Sequence, residues 1–328
     1  MFKFAPETIV STLINHFMSP LLAPFIKDKG IVILDGALAT ELESRGANLN
    51  HPLWSAKILA EDPSLIKKVH SDYLLAGADV ITSSSYQASF EGFARHGYSH
   101  QEAEDFLRKS VKIALDARAE TIRSQFPGGP APLVAASVGP YGAFLADGSE
   151  YRGNYGLSIE ELKAFHRPRI AVLADSGADL LACETIPCPE EAIALIEVIE
   201  EFPEVSAWIS FSCKDQIHVC SGEPLSICVS LADQSSQVIA VGINCTDPRF
   251  VEHLIEIAHS VTGKPVVAYP NKGELYDPQS KCWIADSQPH DIVADALRWK
   301  RAGAQLIGGC CRTTPADIKN IRIALQQR

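Results

Sequence analysis

The chain has 328 residues, of which 46% are hydrophobic, and its formal net charge is −11. This length and composition allow a large buried core in one or two domains. Lysine and arginine are scattered and form no basic block, which argues against a nucleic-acid or anionic-membrane partner. No apolar run is long enough to cross a membrane, and residues 1–20 lack the features of a signal peptide.

The nine cysteines indicate a reducing compartment, because an odd number at irregular spacing does not suit a disulfide framework. We therefore expect a cytoplasmic protein. Most free thiols in folded proteins are small buried apolar groups. That interpretation covers six of the nine cysteines: Cys183, Cys188, Cys213, Cys220, Cys228 and Cys282.

In chain order, short apolar runs alternate with longer amphipathic runs, a pattern typical of strands followed by helices. The apolar runs predict strands over 31–36, 79–86, 132–140, 178–185, 206–213, 237–245, 265–271 and 304–311. The amphipathic runs predict helices over 63–78, 101–124, 158–176, 189–202, 224–234, 248–260 and 289–302, with a last helix from Pro315. Three junctions, AGADVI, SGADLL and AGAQLI, place a glycine between a helix and the next strand, which suits a repeated unit.

Eight strand–helix units predict an α/β fold, a (β/α)8 TIM barrel in a single domain. The strands are continuous apolar runs, as expected where helices cover both faces of a parallel sheet. An open doubly wound sheet is the alternative, but the first turn, DGALATELESRG, lacks the glycine pattern of a phosphate-binding turn. We place the barrel over residues 31–328, after an N-terminal extension or helix over residues 1–30. Long loops are expected at 35–62, 139–157 and 270–288.

Three cysteines stand at predicted strand ends, where a barrel carries its chemistry. Cys245 ends the sixth strand, and Cys310 and Cys311 end the eighth. Their thiolates would suit zinc or Cu(I), and three protein ligands leave one tetrahedral position open. The preceding Gly308 and Gly309 would give the backbone freedom to turn both thiols inward. On spacing alone, a disulfide between Cys310 and Cys311, two metal-free thiols or a redox pair stay open.

Two carboxylates, Asp35 and Glu184, end the first and fourth predicted strands. A pair of this kind can bind an ammonium group or act as acid and base. For Asp35 the alternative is a cap on the following helix. Glu184 directly follows the apolar run DLLAC, which makes a plain surface role harder to sustain.

The motifs DGALATELESRG, LLACETIP, GINC and GGCCRTTPADI resemble the homocysteine S-methyltransferase family. The likeness runs from Ile31 to the final helix. Within the family, SVGPYGAFLADGSEYRG (137–153) and HRPRIAVLADSGADLLACET (166–185) resemble the bacterial branch, whose members use S-methylmethionine or S-adenosylmethionine as donor. The resemblance implies a zinc-dependent (β/α)8 barrel that forms methionine from homocysteine.

The same resemblance implies roles for individual residues. Asp35 and Glu184 match the carboxylates that hold the homocysteine amino group. Tyr86 lies where relatives carry a tyrosine near the donor, although the preceding TSSS departs from their pattern. One Zn²⁺ ion per chain would be held by the cysteines that match the family's ligands: Cys245, Cys310 and Cys311.

The implied partners are small molecules, homocysteine and a sulfonium methyl donor. Homocysteine would bind as the fourth zinc ligand and be held as the thiolate. Aromatic faces would serve as a wall for the sulfonium cation. The candidates for that wall lie in predicted loops at the mouth of the barrel, and plain packing is the alternative for each: Trp54, Tyr86, Tyr141 and Tyr269.

Three other functions remain compatible with the sequence. The first keeps the zinc barrel but uses betaine as donor or selenocysteine as acceptor. The second is a non-catalytic zinc- or thiol-binding protein, which would not need Asp35 and Glu184. The third is a metal-free lyase or aldolase, which would usually need a lysine at a strand end for a Schiff base; no lysine fits, because Lys214 and Lys272 lie just past their strands and follow no such pattern.

Overall fold

The computed structural model describes residues 19–49, 55–125, 130–273, 275–277, 282–284 and 290–326. Its barrel strands are β1 (Val32–Ile33), β2 (Val80–Thr82), β3 (Leu133–Val138), β4 (Leu180–Ile186), β5 (Ala207–Phe211), β6 (Val238–Asn244), β7 (Val266–Tyr269) and β8 (Ala304–Ile307). The helices that follow them are α1 (Pro63–Ala76), α2 (His100–Gln125), α3 (Ile159–Ala174), α4 (Pro189–Ile199), α5 (Leu225–Asp233), α6 (Pro248–Val261), α7 (Ile292–Ala302) and α8 (Pro315–Gln326). Within the described ranges, every helix is too short or too polar to cross a bilayer.

The eight strands close on themselves. They are hydrogen-bonded in the order β1-β8-β7-β6-β5-β4-β3-β2, and each pairing is parallel. A parallel bridge between Leu34 and Val80 joins β1 to β2. The amide of Asp35 also donates to the carbonyl of Val80 at 3.1 Å, and the amide of Asp79 donates to that of Ile33 at 2.7 Å. The sheet is a nearly closed (β/α)8 barrel, which confirms the predicted fold and excludes the doubly wound sheet.

Short additional elements lie between barrel strands and the helices that follow them. They are the helices Leu38–Ser44, Ser55–Glu61, Phe90–Arg95 and Tyr141–Leu145, the 3₁₀ helix Ser149–Tyr151, and an antiparallel pair of strands, Leu275–Asp277 with Cys282–Ile284. The sequence does not predict them, since runs of three to seven residues are too short to show a clear period. They all belong to the carboxyl-terminal mouth of the barrel, where a TIM barrel carries its site.

A helix before the first strand, Ala23–Lys29, packs against the barrel interior. Leu22, Phe25 and Ile26 belong to the same buried cluster as interior strand residues such as Val32 and Trp208. Apolar burial of this kind is what fixes a terminal segment to a domain. The described part of residues 1–30 is therefore attached to the barrel, while residues 1–18 lie outside the described ranges.

The repeated helix–strand junctions share a local structure. Gly77 and Gly303 end α1 and α7 in the left-handed conformation, with φ of 99° and 117°, and Gly177 has φ of 84°. The aspartates two residues after Gly77 and Gly177 accept hydrogen bonds from the start of the preceding strand. Asp79 accepts from the amide of Ile33 at 3.0 Å, and Asp179 accepts from that of Val134 at 2.7 Å. The motif thus ends a helix and fixes two strands at the amino-terminal end of the barrel.

Candidate metal and substrate site

The three cysteines of the GINC and GGCC motifs meet at the carboxyl-terminal mouth. Cys245 directly follows β6, and Cys310 and Cys311 follow β8 after two glycines. The end of β7 lies between them. The amide of Cys245 donates to the carbonyl of Tyr269 at 3.4 Å, and that of Cys310 donates to the carbonyl of Pro270 at 2.7 Å. The order of the strands therefore brings together residues that are 65 positions apart.

The three sulfur atoms form a compact donor set. All three Sγ atoms lie within 4.8 Å of one another, and those of Cys310 and Cys311 are 4.0 Å apart. Sulfur ligands on a tetrahedral zinc are separated by ~3.8 Å, given zinc–sulfur bonds of about 2.3 Å. A trio of thiolates with one open coordination position suits zinc better than a hard cation. The donor set therefore fits the predicted metal.

The sulfur atoms of Cys245 and Cys310 lie next to each other, and Cys311 is a free thiol. The alternative of a disulfide between Cys310 and Cys311 is wrong, since their sulfurs are not bonded. Metals bind the thiolate, so Cys245 and Cys310 would serve as ligands in their reduced form. Burial raises the pKa of Cys311 to about 12, so its thiol stays protonated until a cation favours the thiolate.

The sequence predicts that Gly308 and Gly309 supply backbone freedom before Cys310, and this reason is wrong. Neither Gly308 nor Gly309 has a positive φ; the left-handed residues here are Cys245, with φ of 46°, and Arg312, with φ of 71°. The glycines are needed for space. A Cβ on Gly308 would lie 2.7 Å from the carbonyl oxygen of Asp35, and one on Gly309 would overlap the side chain of Thr313.

Asp35 follows β1 and is 7% exposed. Its carboxylate accepts hydrogen bonds from the backbone amide of Thr82 at 2.7 Å and from the Thr82 hydroxyl at 3.1 Å. The capping alternative is wrong, because the helix Leu38–Ser44 begins after Ala37 and has no side-chain cap. The pKa of Asp35 is raised to about 8, mainly by burial and to a smaller extent by the nearby charge of Glu184, while the hydrogen bonds from Thr82 oppose the rise.

Glu184 lies within β4 and is 9% exposed. The hydroxyl of Ser137 on β3 donates to its Oε1. Burial raises the pKa of Glu184 to about 7, and hydrogen bonds from Ser137 and Tyr269 lower it in part. The effect of Glu184 on Asp35 shows that the two carboxyl groups face the same region. A cation bound between them would offset the cost of burying both charges.

Tyr86 follows β2 and is near enough to Glu184 and Cys311 for their charges to act on it. Burial raises its pKa well above the usual value, and the charges of Glu184 and Cys311 contribute in the same direction. Its hydroxyl interacts with the side chain of Thr185, the residue after Glu184. The Tyr86 ring also packs closely against Gly139, where a Cβ would lie 2.8 Å from ring atoms.

Two residues of the site were missed in the sequence: Glu150 and Tyr151, on the 3₁₀ helix Ser149–Tyr151. Burial raises the pKa of Tyr151, and the charges of Cys311 and Tyr86 raise it further, so Tyr151 faces the same region as Tyr86. The available signal was the GSEYRG segment within the motif 137–153, which we interpreted only as part of a loop.

The other predicted aromatic residues have different positions. Tyr141 packs in an aromatic cluster, with ring centroids 5.4 Å from Phe144 and 4.9 Å from Phe165. Tyr269 is 5% exposed, and its hydroxyl accepts a hydrogen bond from the Trp208 ring nitrogen at 3.0 Å. Packing thus accounts for Tyr141, while Tyr269 also hydrogen-bonds Glu184, and Trp54 lies outside the described residues.

The remaining cysteines largely follow the sequence prediction. Four of them are buried: Cys183, Cys188, Cys213 and Cys228. Cys220 is only partly buried, and the side chain of Cys282 lies outside the described residues. Lys272, considered for a Schiff base, instead pairs with Asp317 at 2.9 Å.

Comparison with known proteins identifies the family. A family model described as homocysteine S-methyltransferase matches residues 32–325. The homocysteine S-methyltransferase YbgG of Bacillus subtilis is 52% identical over 293 residues, 89% of this chain and 93% of its own length. A selenocysteine Se-methyltransferase of Brassica oleracea is 50% identical, over 91% of this chain and 90% of its own. The homocysteine methyltransferase MmuM of Escherichia coli, solved in a metallated form, superposes with a TM-score of 0.84 at 44% identity, covering 92% of this chain and 99% of that one. This chain belongs to the homocysteine S-methyltransferase family.

Proposed function

We propose that this protein transfers a methyl group from S-methylmethionine, or from S-adenosylmethionine, to the thiol of L-homocysteine and so forms methionine. One zinc ion per chain would be held by Cys245, Cys310 and Cys311. The observation that carries the proposal is the meeting of these three sulfurs with two buried carboxylates, Asp35 and Glu184, at one mouth of the barrel. Family membership supports the same reaction.

The metal would supply one property. Zinc, when bound, lowers the pKa of a thiol and keeps it as a nucleophilic thiolate at neutral pH. Three cysteine ligands leave room for one further sulfur, which would come from homocysteine. The remaining chemistry rests on the residues of the chain that position the two substrates.

Asp35 and Glu184 would hold the ammonium group of homocysteine. Each carboxylate is buried and carries a raised pKa, so a bound cation stabilises its ionised form. Thr82 and Ser137 donate hydrogen bonds that fix the two carboxyl groups in place. Holding the ammonium fixes the position of the thiol three carbons away, which lowers the barrier by orientation.

The transfer itself needs no general base. An electron pair on the homocysteine sulfur attacks the methyl carbon, the bond from that carbon to the donor sulfur breaks, and its electrons make the donor a neutral thioether. A negative and a positive charge disappear together, so a site that excludes water favours the reaction. Tyr86 would line the donor side, because an aromatic face attracts a cation without reacting with it.

Metal content and activity, measured together, test the proposal. Wild type, purified with a thiol reductant, should contain one zinc per chain and form methionine from homocysteine and S-methylmethionine. Cys245→Ala should lose both zinc and activity. Cys228→Ala is the matched control, since Cys228 is a buried cysteine on α5, and it should keep both. Full activity in metal-free protein would disprove the role of zinc.

Selenocysteine is a second candidate acceptor, because a relative named for that activity is 50% identical to this chain. A selenol is more acidic than a thiol and would bind the same metal position. Competition between homocysteine and selenocysteine for one donor, measured as a ratio of kcat/KM, separates the two. We propose homocysteine as the preferred acceptor. If kcat/KM for homocysteine divided by that for selenocysteine is below one, selenocysteine is the preferred acceptor. Betaine in place of the sulfonium donor tests the donor in the same assay.

We also propose that the protein works in the cytoplasm on these small molecules. A reducing compartment keeps Cys245, Cys310 and Cys311 as thiols, the form that can bind a metal. Fractionation of cells, with zinc and free-thiol content measured in each fraction, tests this. Recovery of the protein in an oxidising compartment would contradict it.

A further inference from the structure

Glu150 occupies a fixed position over the ends of two strands. Its backbone carbonyl accepts a hydrogen bond from the hydroxyl of Ser212, just after β5, at 3.0 Å. The same hydroxyl lies 3.5 Å from the carbonyl oxygen of Thr185, the residue after Glu184. The 3₁₀ helix that carries Glu150 is thereby held against the mouth of the barrel, and the Ser212 hydroxyl links it to Thr185, the residue after Glu184.

The carboxylate of Glu150 has an unused acceptor atom. Its Oε2 is buried, and no described residue donates a hydrogen bond to it. Arg152, a nearby cation, directs its guanidinium to the hydroxyl of Ser149 at 2.9 Å and to Asp147 at 3.5 Å. Burial raises the pKa of Glu150 to about 7. Leaving a buried acceptor without a donor is unfavourable, so this atom is a position for a ligand group that donates hydrogen bonds.

Glu150 faces the donor side of the site. Its negative charge raises the pKa of Tyr86, of Tyr151 and of Cys311, so it lies near all three side chains. The proposed donors are amino acids, and each carries an ammonium group in addition to its sulfonium. Asp35 and Glu184 are engaged with the ammonium of homocysteine. The donor's ammonium therefore needs a separate carboxylate.

The chemistry of transfer favours the ammonium over the sulfonium as the partner of Glu150. The sulfonium charge disappears during transfer, so a carboxylate placed against it would stabilise the ground state more than the transition state. The ammonium keeps its charge throughout, and binding it costs nothing in the transfer step. Tyr86 and Tyr151 offer aromatic faces for the sulfonium.

We propose that Glu150 binds the α-ammonium group of the sulfonium amino acid that donates the methyl group, with Tyr86 and Tyr151 lining the path of the sulfonium. The proposal rests on the function proposed above. It makes Glu150 a binding residue for the donor alone, separate from the two carboxylates that bind homocysteine. An ammonium group with three donors matches a buried carboxylate whose Oε2 receives no hydrogen bond from the described part of the chain.

The test is a comparison of two Michaelis constants in Glu150→Gln. This change keeps the shape of the side chain and removes its charge. The KM for S-methylmethionine should rise about 10- to 100-fold, the usual effect of losing a charge-assisted hydrogen bond. The KM for homocysteine and the zinc content should stay unchanged. An unchanged donor KM, or an equal rise in both constants, overturns the proposal.

Two controls separate a local effect from a general one. Asp147→Asn removes a negative charge three residues away on the same loop, from a side chain that is 53% exposed, and should leave both constants unchanged. The inhibition constant of dimethylsulfoniopropionate, a sulfonium with no ammonium group that competes with S-methylmethionine, should be the same in wild type and in Glu150→Gln. If the variant weakens this compound as strongly as S-methylmethionine, Glu150 acts on the sulfonium and the assignment to the ammonium is wrong.

Failure of this inference is distinct from failure of the proposed function. If wild type forms no methionine from any sulfonium donor, the proposed function itself is wrong. If wild type is active and Glu150→Gln has the wild-type donor KM, the reaction stands and only the role of Glu150 is lost. Equal thermal unfolding of the two proteins shows that the comparison concerns binding.

Discussion

The side chain of Asn244 holds Thr185 at both its backbone and its hydroxyl. Asn244 Oδ1 accepts a hydrogen bond from the Thr185 amide at 2.7 Å, and Asn244 Nδ2 donates to the Thr185 hydroxyl at 2.8 Å. Thr185 follows Glu184 and has φ of 64°, while Asn244 precedes Cys245, which has φ of 46°. One buried amide therefore connects the proposed amine clamp to the proposed metal ligand, and it stabilises a backbone conformation that is otherwise unfavourable.

Asn244→Ala should impair both halves of the site together. It leaves the amide of Thr185 without its partner, takes one donor away from the Thr185 hydroxyl, and removes the acceptor of a hydrogen bond from Ser210 at 2.8 Å. Leaving buried polar groups unpaired costs ~1–3 kcal/mol each, so we expect a loss of ~3 kcal/mol in the free energy of unfolding. Zinc affinity and the homocysteine KM should both worsen, by about tenfold, as the ends of β4 and β6 shift.

Gln237→Ala is the matched control for Asn244→Ala. Its amide donates to three carbonyl groups at the opposite end of the barrel: Ile199, Phe202 and Val205. It should lower stability by a similar amount while leaving zinc affinity and homocysteine KM unchanged. If Asn244→Ala also lost only stability, the connection between clamp and metal would have no functional role.

Glu184→Gln should separate homocysteine binding from metal binding. The amide keeps the shape of the side chain but removes the charge that would hold the ammonium, so the homocysteine KM should rise about 10- to 100-fold. Zinc content and the donor KM should not change, because Glu184 contributes to neither. Exposed Glu190, six residues along, gives the control Glu190→Gln, which should behave as wild type. Wild-type kinetics in Glu184→Gln would disprove the clamp.

The fold could be predicted from the sequence because its signals are long and repeated. The helices span enough residues to show their period, each strand lies within a continuous apolar run, and three glycine junctions mark boundaries between them. The residues that meet at the mouth could be predicted only as strand ends. Asn244 was noted only as part of the GINC motif, because its role depends on contacts with Thr185, 59 positions away in the chain.

Short elements account for what sequence reasoning missed. Glu150 and Tyr151 lie on a three-residue 3₁₀ helix, which has no period of its own. Gly308 and Gly309 also show what a local sequence pattern cannot predict. Their presence was noticed, but the reason for it, contact with Asp35 and Thr313, depends on packing between β1 and β8 that no local pattern contains.

Zinc removal should lower thermal stability in a way that requires Cys311. A ligand at 100 times its dissociation constant stabilises the folded state by about 2.7 kcal/mol. Wild type stripped by a chelator under reducing conditions should regain about that amount when zinc is added. Cys311→Ala should gain much less, while Cys228→Ala should recover as wild type does. An equal recovery in Cys311→Ala would remove Cys311 from the ligand set.

Asp35 should make the protein less stable as the pH rises. Its pKa is about 8 in the folded state and 3.8 in the unfolded chain, so the folded state binds more protons between these values. Stability from this group is fully present below pH 4, falls between pH 4 and 8, and levels off above that. Asp35→Asn does not titrate. Its unfolding free energy should therefore exceed that of wild type by an amount that grows with pH, reaching on the order of 5 kcal/mol at pH 8.5.

Asp317→Asn provides a control of opposite sign for this pH dependence. Lys272 and Thr314 hold the pKa of Asp317 below its usual value, so its contribution is present at neutral pH and is lost as the pH falls through that pKa. Denaturant unfolding of the three proteins from pH 4 to pH 9, at equal zinc loading and without substrate, measures both trends. If Asp35→Asn is no more stable than wild type at pH 8.5, ionising the Asp35 carboxyl costs the folded protein little free energy. In that case Asp35 and Glu184 would not form a desolvated pair of carboxyl groups before the ammonium binds.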